Sequence, residues 1–267
     1  MCLLMLAWHA HPRYRLVVAA NRDEYHDRPA APLARWRAPA DILAGRDLRA
    51  GGTWLGVDSG RRFGVVTNFR DLAGAPAEAP SRGGLIPGYL GSAASPGEYL
   101  AALESEAGRY GGFNLLLADG ESLWYASNRC QPFARQLPPG VYGLSNGRLD
   151  DPWPKLCRVR AGFDTWIQGD AAQARALFAL LEDRRQAGIE EVLPSMGLPA
   201  EWERTLSSPF VLHERYGTRC CTLVTIEPTG RCYIAERRFD PAGERSGETE
   251  CRLPPGEWVS TPDPEIR

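Results

Sequence analysis

Short apolar runs joined by polar turns recur along this chain and constrain its fold more than any other feature. Asp119-Gly120, for example, separates two runs of alternating apolar and polar residues. Two strand-like runs joined by so short a turn predict an antiparallel hairpin. The predicted strand pairs are residues 3–8 with 14–21, 53–57 with 62–68, 113–118 with 122–127, and 220–227 with 231–237. Antiparallel sheets are therefore favoured over βαβ crossovers.

Helices are predicted between these hairpins. Ser95-Pro96-Gly97-Glu98 has the capping-box pattern with proline at the first helical position, which predicts a helix over residues 96–109. Two further helices are predicted over residues 153–166 and 171–181, the second after an Asp170 cap. This order of elements predicts an α+β domain of layered, mostly antiparallel sheets.

The remaining segments are predicted to be irregular. Residues 29–49 look like a packed connection without regular structure, and residues from about 240 to 267 form a proline-rich tail. Gly51-Gly52 predicts a close backbone approach or a bulge just before Thr53. No domain boundary is evident, so residues 1–267 are predicted to form a single domain.

Composition excludes several classes of function. The net charge is −2 over 267 residues, which leaves no basic surface for nucleic acid. No apolar run approaches the roughly 20 residues that span a bilayer, and no basic segment marks a secretory signal. The seven cysteines lack Cys-x-x-Cys and zinc spacings, which predicts free thiols, no metal site and a cytoplasmic protein. Composition does not indicate an oligomeric state.

The first hairpin carries a polar cluster at the end of its second strand. The apolar residues 16–20 are followed by Asn21-Arg22-Asp23-Glu24. Because successive side chains of a strand alternate between faces, Asn21 and Asp23 share one face and Arg22 and Glu24 the other. A strand end in solvent would explain such residues, but the predicted pairing also brings Cys2 close to them. We expect Asn21 and Asp23 to be on the face of Cys2.

Cys2 is the candidate nucleophile. The chain has no glycine-rich phosphate loop, no Gly-x-Ser-x-Gly and no His-Glu-x-x-His, and its four histidines form no Cys/His spacing. Removal of Met1 would expose Cys2 with a free α-amine. That amine, with a pKa of about 7.7–8.0, takes up the thiol proton near neutral pH. Cys2 is equally explained as a buried structural residue of the first strand.

Asparagine side chains suit an oxyanion hole, which an N-terminal nucleophile requires. Asn21, Asn68 and Asn146 each follow an apolar strand. An arginine or aspartate beside the amine would fix its orientation.

A set of motifs resembles one known family. They are Met-Cys-Leu at 1–3, Ala-Asn-Arg-Asp-Glu at 20–24, Ala-Gly-Arg-Asp-Leu at 44–48, Gly-Gly-Thr-Trp-Leu-Gly at 51–56, Val-Thr-Asn-Phe-Arg at 66–70, Ser-Arg-Gly at 81–83, Leu-Ser-Asn at 144–146 and Tyr-Gly-Thr-Arg at 216–219. Together they resemble the NRDE family, also called the transport and Golgi organisation protein 2 family. The region after about residue 239 contributes little.

The resemblance implies a four-layer αββα sandwich of the N-terminal-nucleophile type, similar to penicillin V acylases and bile salt hydrolases. By motif, Cys2 matches the nucleophile and Asp23 the aspartate that contacts its amine, while Asn68 and Asn146 match two asparagines of the site. This chain has Asn-Arg-Asp where the acylases have Arg-Asn-x-Asp, so Arg22 need not lie on the face of their arginine. Their last arginine has no clean match, and Arg219 is the substitute.

Two functions remain open. The first is a cysteine hydrolase acting on a linear amide or thioester, which requires no cofactor. The second, which the resemblance implies, is a carrier of haem or of an acyl-CoA. Axial haem ligands would come from Cys2, Met5, His9 or His11. Further ligand-binding candidates are Asn21, Trp54, and the arginines Arg70 and Arg82, which suit phosphates.

Overall fold

The computed structural model describes residues 2–70, 74, 76, 78–169, 173–188, 197–256 and 258. Over these residues the chain forms an α+β protein with two antiparallel sheets. It divides into two compact units. The first unit comprises Met1–Asp27, Pro139–Pro228 and Tyr233–Glu250, and the second comprises Arg28–Pro138, Thr229–Cys232 and Cys251–Arg267.

The strands lie in two sheets. Those of the first are β1 (Cys2–Trp8), β2 (Leu16–Tyr25), β10 (Gly140–Leu144), β11 (Tyr216–Ile226), β12 (Cys232–Phe239) and β13 (Arg245–Leu253). Those of the second are β3 (Ala30–Trp36), β4 (Ile42–Asp47), β5 (Leu55–Asp58), β6 (Phe63–Asn68), β7 (Phe113–Ala118), β8 (Leu123–Ser127) and β9 (Ala134–Leu137). In the described residues the first sheet has the order β10-β1-β2-β11-β12-β13, and the second follows chain order from β3 to β9. The antiparallel α+β class is thus confirmed, while the four-layer stacking stays a prediction.

The helices are short apart from one. They are α1 (Leu85–Leu90), α2 (Pro96–Glu104), α3 (Pro154–Ile167), α4 (Phe178–Leu181) and α5 (Ala200–Thr205). None of the described helices is long and apolar enough to cross a membrane.

In the first unit, α3 and α4 cover one face of the sheet. The core there combines alternate strand residues such as Leu3, Met5 and Leu223 with helical residues such as Phe163 and Phe178. This alternation follows from the two-residue period of a strand. The odd-numbered residues of β1 and β2 therefore face the helices, and the even-numbered residues face away from them.

In the second unit, α1 and α2 pack on the other sheet. Ile86 and Tyr89 of α1 and Leu100 of α2 pack in one core cluster with strand residues such as Val66 and Leu115. The predicted capping box is present, since Ser95 and Glu98 bond each other's backbone N–H groups. The helix ends at Glu104, because a single turn of 3₁₀ helix over Ala107–Arg109 follows instead of further α-helical turns.

Besides the end of α2, three further predictions differ from the structure. Residues 29–49 are not irregular: β3 and β4 form a hairpin there, and Trp36 donates its Nε1–H to the backbone oxygen of Ala44 at 3.0 Å. The region predicted as a tail contains β13, which pairs at the sheet edge beside β12. The helix predicted over 171–181 is a 3₁₀ turn followed by α4, and its Asp170 cap lies outside the described residues. The elements α1, α5 and β9 were not predicted.

The close approach predicted at Gly52 is confirmed. A Cβ atom added there would lie 2.3 Å from the carbonyl carbon of Gly83. Thr53 N donates to Gly83 O at 3.0 Å, so the strand entrance and the turn of Ser81 to Gly84 share a backbone contact. Only glycine allows two backbones to come this close.

We expect Gly52→Ala to lower the free energy of unfolding by at least about 2 kcal/mol, because the methyl group overlaps backbone that cannot rotate away. Gly84→Ala is the matched control, since a Cβ there meets nothing within 4 Å and its φ is −77°. Urea unfolding of both variants measures the difference. Equal stabilities would contradict the role of Gly52.

Candidate functional site

The candidate site is organised by β2, which lies between β1 and β11. The register pairs Cys2 with Arg22 and Leu3 with Asn21. Directly opposed residues of an antiparallel pair occupy the same face, so position 2 belongs with Arg22. The expectation that Asn21 and Asp23 share a face with Cys2 is therefore wrong. The motif is also inside the strand rather than at its end, because β2 continues to Tyr25.

On the other side of β1 the register leads to Asn146. Leu4 pairs with Leu144, the last residue of β10, and Asn146 follows two residues after that strand end. Asn146 is 1% exposed although it lies beyond the end of the strand. Cys2 and Arg22 are thus directly paired in the first sheet, and Asn146 follows the end of β10, the strand that pairs with β1 on its other side.

Asn21 has a structural position. Its Nδ2 donates to Leu181 O at 2.8 Å and to Pro209 O at 2.9 Å, which joins β2 to the end of α4 and to the segment before β11. Both N–H bonds of the side chain are used in this way. The ligand-binding role predicted for Asn21 has no support in these contacts.

Asp23 is buried on the helix-facing side of the sheet and is 3% exposed. Its Oδ1 accepts a hydrogen bond from Thr218 Oγ1 at 2.7 Å, and its backbone oxygen accepts one from the hydroxyl of Tyr216 at 2.9 Å. Burial raises the pKa of Asp23 above its ordinary value, and Lys155, Thr218 and Arg22 oppose that rise. The carboxyl group is therefore held by the hydroxyl of Thr218, and the charges of Lys155 and Arg22 favour its ionised form.

Lys155 is a site residue that sequence reasoning missed. It is the only lysine in the chain, lies in the first turn of α3 and is 0% exposed. Its charge lowers the pKa of Asp23. A fully buried lysine needs a compensating group, and Asp23 provides a negative charge on the face that α3 covers. The sequence shows Lys155 as a single lysine among many arginines, but its spacing does not link it to Asp23.

Arg22 and Arg219 are neighbours on this sheet. The ladder between β2 and β11 shifts register between Thr218 and Cys220, so Arg219 is the extra residue of a β-bulge. Its Nη1 donates to Tyr25 O at 3.2 Å and to His26 O at 3.0 Å. Burial lowers the pKa of Arg219, and the like charge of Arg22 lowers it further. Arg219, the substitute for the last arginine of the acylases, is therefore a neighbour of Arg22 on the adjacent strand β11.

Four other predicted residues belong to the second unit: Trp54, Asn68, Arg70 and Arg82. Asn68 ends β6 opposite Phe113, and Arg82 Nη1 donates to Gly112 O at 2.8 Å. Arg82 is thus engaged with backbone in its own unit. Participation of these residues in a site with Cys2 stays a prediction.

The second unit also contains a buried polar group that the sequence did not indicate. Asn114, which pairs with Thr67, accepts a hydrogen bond from the hydroxyl of Tyr125 at 2.8 Å and donates to Thr67 Oγ1 at 3.3 Å. These side chains point away from α1 and α2, since the alternate residues of the same strands form the helix-facing core. The period of the strands predicts the two faces, but not that one is polar.

The candidate axial ligands for haem are placed unfavourably. Met5 is fully buried in the core beneath α3 and α4. Nδ1 of His11 accepts the backbone N–H of Arg13 at 3.0 Å, and its ring stacks on Trp166 with 5.0 Å between centroids. His9 packs edge-on against Trp8. Within the described ranges, no group of three or more His, Cys, Asp or Glu residues is arranged to hold a metal ion.

Six cysteines other than Cys2 are free thiols, as predicted. Cys157 on α3 is exposed, whereas Cys220, Cys221, Cys232 and Cys251 are buried. Burial raises the pKa of Cys221 well above its ordinary value, which makes this thiol a poor nucleophile.

Comparison with known proteins now settles the family. The family model for "Transport and Golgi organisation 2" matches residues 1–241. The chain belongs to this family. The Transport and Golgi organization 2 homolog of mouse is 32% identical over 257 residues, covering 89% of this chain and 92% of the mouse protein.

Two further relatives agree. The bovine Transport and Golgi organization protein 2 homolog is 32% identical over 281 residues and covers 95% of this chain and 99% of its own length. The human homolog is 30% identical over 258 residues, covering 89% of this chain and 92% of the human protein. The resemblance to the transport and Golgi organisation protein 2 family that the motifs indicated is therefore confirmed.

We expect Asn21→Ala to lower the free energy of unfolding by about 3 kcal/mol, because two buried carbonyl groups lose their donor. Glu24→Gln, an isosteric change on the same strand, should stay within about 0.5 kcal/mol of the parent. Chemical denaturation measures both. A stable Asn21→Ala protein that loses binding of a ligand would instead support the original ligand-binding assignment.

The Asp23–Lys155 pair predicts a pH-dependent effect. Lys155→Met removes the cation beside a buried carboxylate and should lower the free energy of unfolding by about 3–5 kcal/mol at pH 7.5. Because the folded state raises the pKa of Asp23 above its ordinary 3.8, this carboxyl destabilises the fold increasingly as pH rises from about 4 through the folded pKa. In the variant that pKa rises further, so a larger fraction of Asp23 is protonated at pH 4.5 than at pH 7.5 and the loss there should be smaller.

Urea unfolding of the Lys155→Met variant at pH 4.5 and 7.5 tests this sign. The double variant Lys155→Met/Asp23→Asn is the control, since it removes both charges and should recover part of the loss at pH 7.5. An equal loss at the two pH values would show that Lys155 acts through packing alone.

Proposed function

We propose that this protein is a cysteine N-terminal-nucleophile hydrolase that cleaves a linear amide or thioester. The observation that carries the proposal is the direct pairing of Cys2 with Arg22, next to the buried Asp23 and with the buried Asn146 just after the neighbouring strand β10. An acyl-transfer site needs a nucleophile, a base, an oxyanion donor and an orienting charge close together. Each of these residue types is present here.

The first step generates the nucleophile. Once Met1 is removed, the α-amine of Cys2 takes the proton of its own thiol, and the thiolate attacks the carbonyl carbon of the substrate. A bond forms between sulfur and carbon while the carbonyl π electrons move onto oxygen. Asn146 is proposed as a donor to that oxygen.

The second step releases the leaving group. The ammonium group of Cys2 returns its proton to the departing amine or thiol as the carbon–nitrogen or carbon–sulfur bond breaks. Water, deprotonated by the same amine, then attacks the acyl-enzyme and releases a carboxylic acid and the free thiol. Bond making and proton transfer balance without a metal or a redox cofactor.

Asp23 is proposed to orient the amine. The backbone nitrogen of Cys2 lies within the plane of the sheet, so groups on either face can approach it. Asp23 is on the helix-facing side and Arg22 on the other, and both neighbour the strand end at position 2. The prediction about faces was wrong, but Asp23 can still orient the amine, and Arg22 is the residue paired with position 2.

We expect intact-mass analysis to show loss of Met1 and iodoacetamide to alkylate Cys2 at least about tenfold faster than Cys157, because the amine increases the thiolate fraction. Cys157 is the internal control, since it is exposed and lies outside the site. Peptide mass spectrometry gives both rates. Retained Met1, or equal rates at the two cysteines, would refute the mechanism.

The single buried lysine allows a second measurement of the same prediction. Under native conditions citraconic anhydride should modify the α-amine alone, because Lys155 is inaccessible. Modification should slow the alkylation of Cys2 and leave the alkylation rate of Cys157 unchanged. Mild acid removes the citraconyl group and should restore the original rate at Cys2. A carrier without catalytic function would show no dependence of the thiol on the amine.

A further inference from the structure

We propose that Arg22 and Arg219 bind an anionic group, a carboxylate or a phosphate, carried by the compound that reacts at Cys2. The inference rests on the proposed function and specifies its substrate class. It concerns recognition of the substrate, separate from the chemistry at the carbonyl group. The argument uses the position of the two arginines, their charge and their hydrogen bonds.

The position of the pair follows from the ladder. Arg22 is directly opposed to Cys2 on one side and to Cys220 on the other. Opposed Cα atoms of an antiparallel pair lie about 4.5–5.5 Å apart. The bulge places Arg219 immediately next to Cys220. An anionic group held by Arg22 would therefore lie near an acyl carbon at Cys2, and Arg219 would approach that group from the next strand, β11.

The two arginines are partly buried like charges that act on each other. Arg22 is 7% exposed, and its Nη2 lies 4.0 Å from Glu24 Oε2. The charge of Arg22 lowers the pKa of Arg219, while Glu24 raises it. Two partly buried guanidinium groups attract an anion more strongly than the same groups in water.

Arg219 retains donor capacity. Its Nη1 is used on the backbone oxygens of Tyr25 and His26. Its Nε is buried and has no hydrogen-bond partner among the described residues. A buried donor without a partner is unfavourable, and the planar guanidinium is suited to carboxylate or phosphate oxygens. An oxyanion supplied by the substrate would satisfy this donor and reduce the repulsion between the two arginines.

The test compares iodoacetate with iodoacetamide, which have nearly the same size and differ in charge. At Cys2, the alkylation rate with iodoacetate is divided by the rate with iodoacetamide. This ratio is then divided by the same ratio at Cys157, which removes the difference in intrinsic reactivity between the two reagents. We expect a quotient of at least about ten in the parent protein. Arg219→Gln should bring it close to one, and Arg219→Lys should retain part of it. Arg215→Gln, a change at an exposed arginine of the same segment, should leave it unaltered.

The outcomes separate the two proposals. Rapid alkylation of Cys2 by both reagents with a quotient of one overturns the anion site and leaves the hydrolase proposal intact. Failure of Cys2 to react with either reagent overturns the hydrolase proposal. Calorimetry then decides the anion site, with octanoate and octyl phosphate as anionic probes and octanamide as the neutral probe.

In that experiment we expect an anionic probe to bind at least about tenfold more tightly than octanamide, and Arg219→Gln to remove the preference. Preference for octanoate would identify a carboxylate, and preference for octyl phosphate would identify a phosphate. Equal affinity for all three compounds, or a preference that survives Arg219→Gln, overturns the inference.

Discussion

The position of β2 between β1 and β11 is the constraint on which the candidate site depends. Seven of its residues, Leu16 to Arg22, are paired on both sides, so their side chains cannot exchange faces independently. The odd-numbered residues carry the contacts with α3, α4 and the segment before β11. The even-numbered residues place arginine beside position 2. One strand thus supplies core residues on one face and, on the other, Arg22, the charged residue paired with Cys2.

The hairpins could be predicted from the sequence because their information is local. Asp119-Gly120 and Pro228-Thr229-Gly230 join adjacent runs, and the turn residues fix both partners. The hairpin of β3 and β4 was missed since prolines and arginines obscure its alternation. Its strands are defined by burial of Ile42 and by the hydrogen bond of Trp36, which are tertiary interactions. The strand β13 likewise depends on an existing sheet edge.

The sequence predicted which residues belong to the candidate site better than it predicted how they are arranged. Cys2, Arg22 and Asn146 were identified by residue type and by the family resemblance, and the ladder pairs the first two of them. Alternation correctly separated Asn21 and Asp23 from Arg22, but it could not say which face belongs to Cys2. That depends on pairing register, which here differs by one residue from the expectation. Lys155 was inaccessible to such reasoning, because its relation to Asp23 arises from packing of a helix 132 positions later in the sequence.

The division of β2 into two faces has a genetic consequence. A substitution at a single position changes the environment on one face of β2 and leaves the other face unchanged. Insertion or loss of one codon between Leu16 and Asn21 would instead send every later side chain to the opposite face. Asn21 and Asp23 would leave the carbonyl groups and hydroxyl that hold them, while Arg22 would enter the apolar core. Length changes in this short segment should therefore be far less tolerated than any single replacement within it.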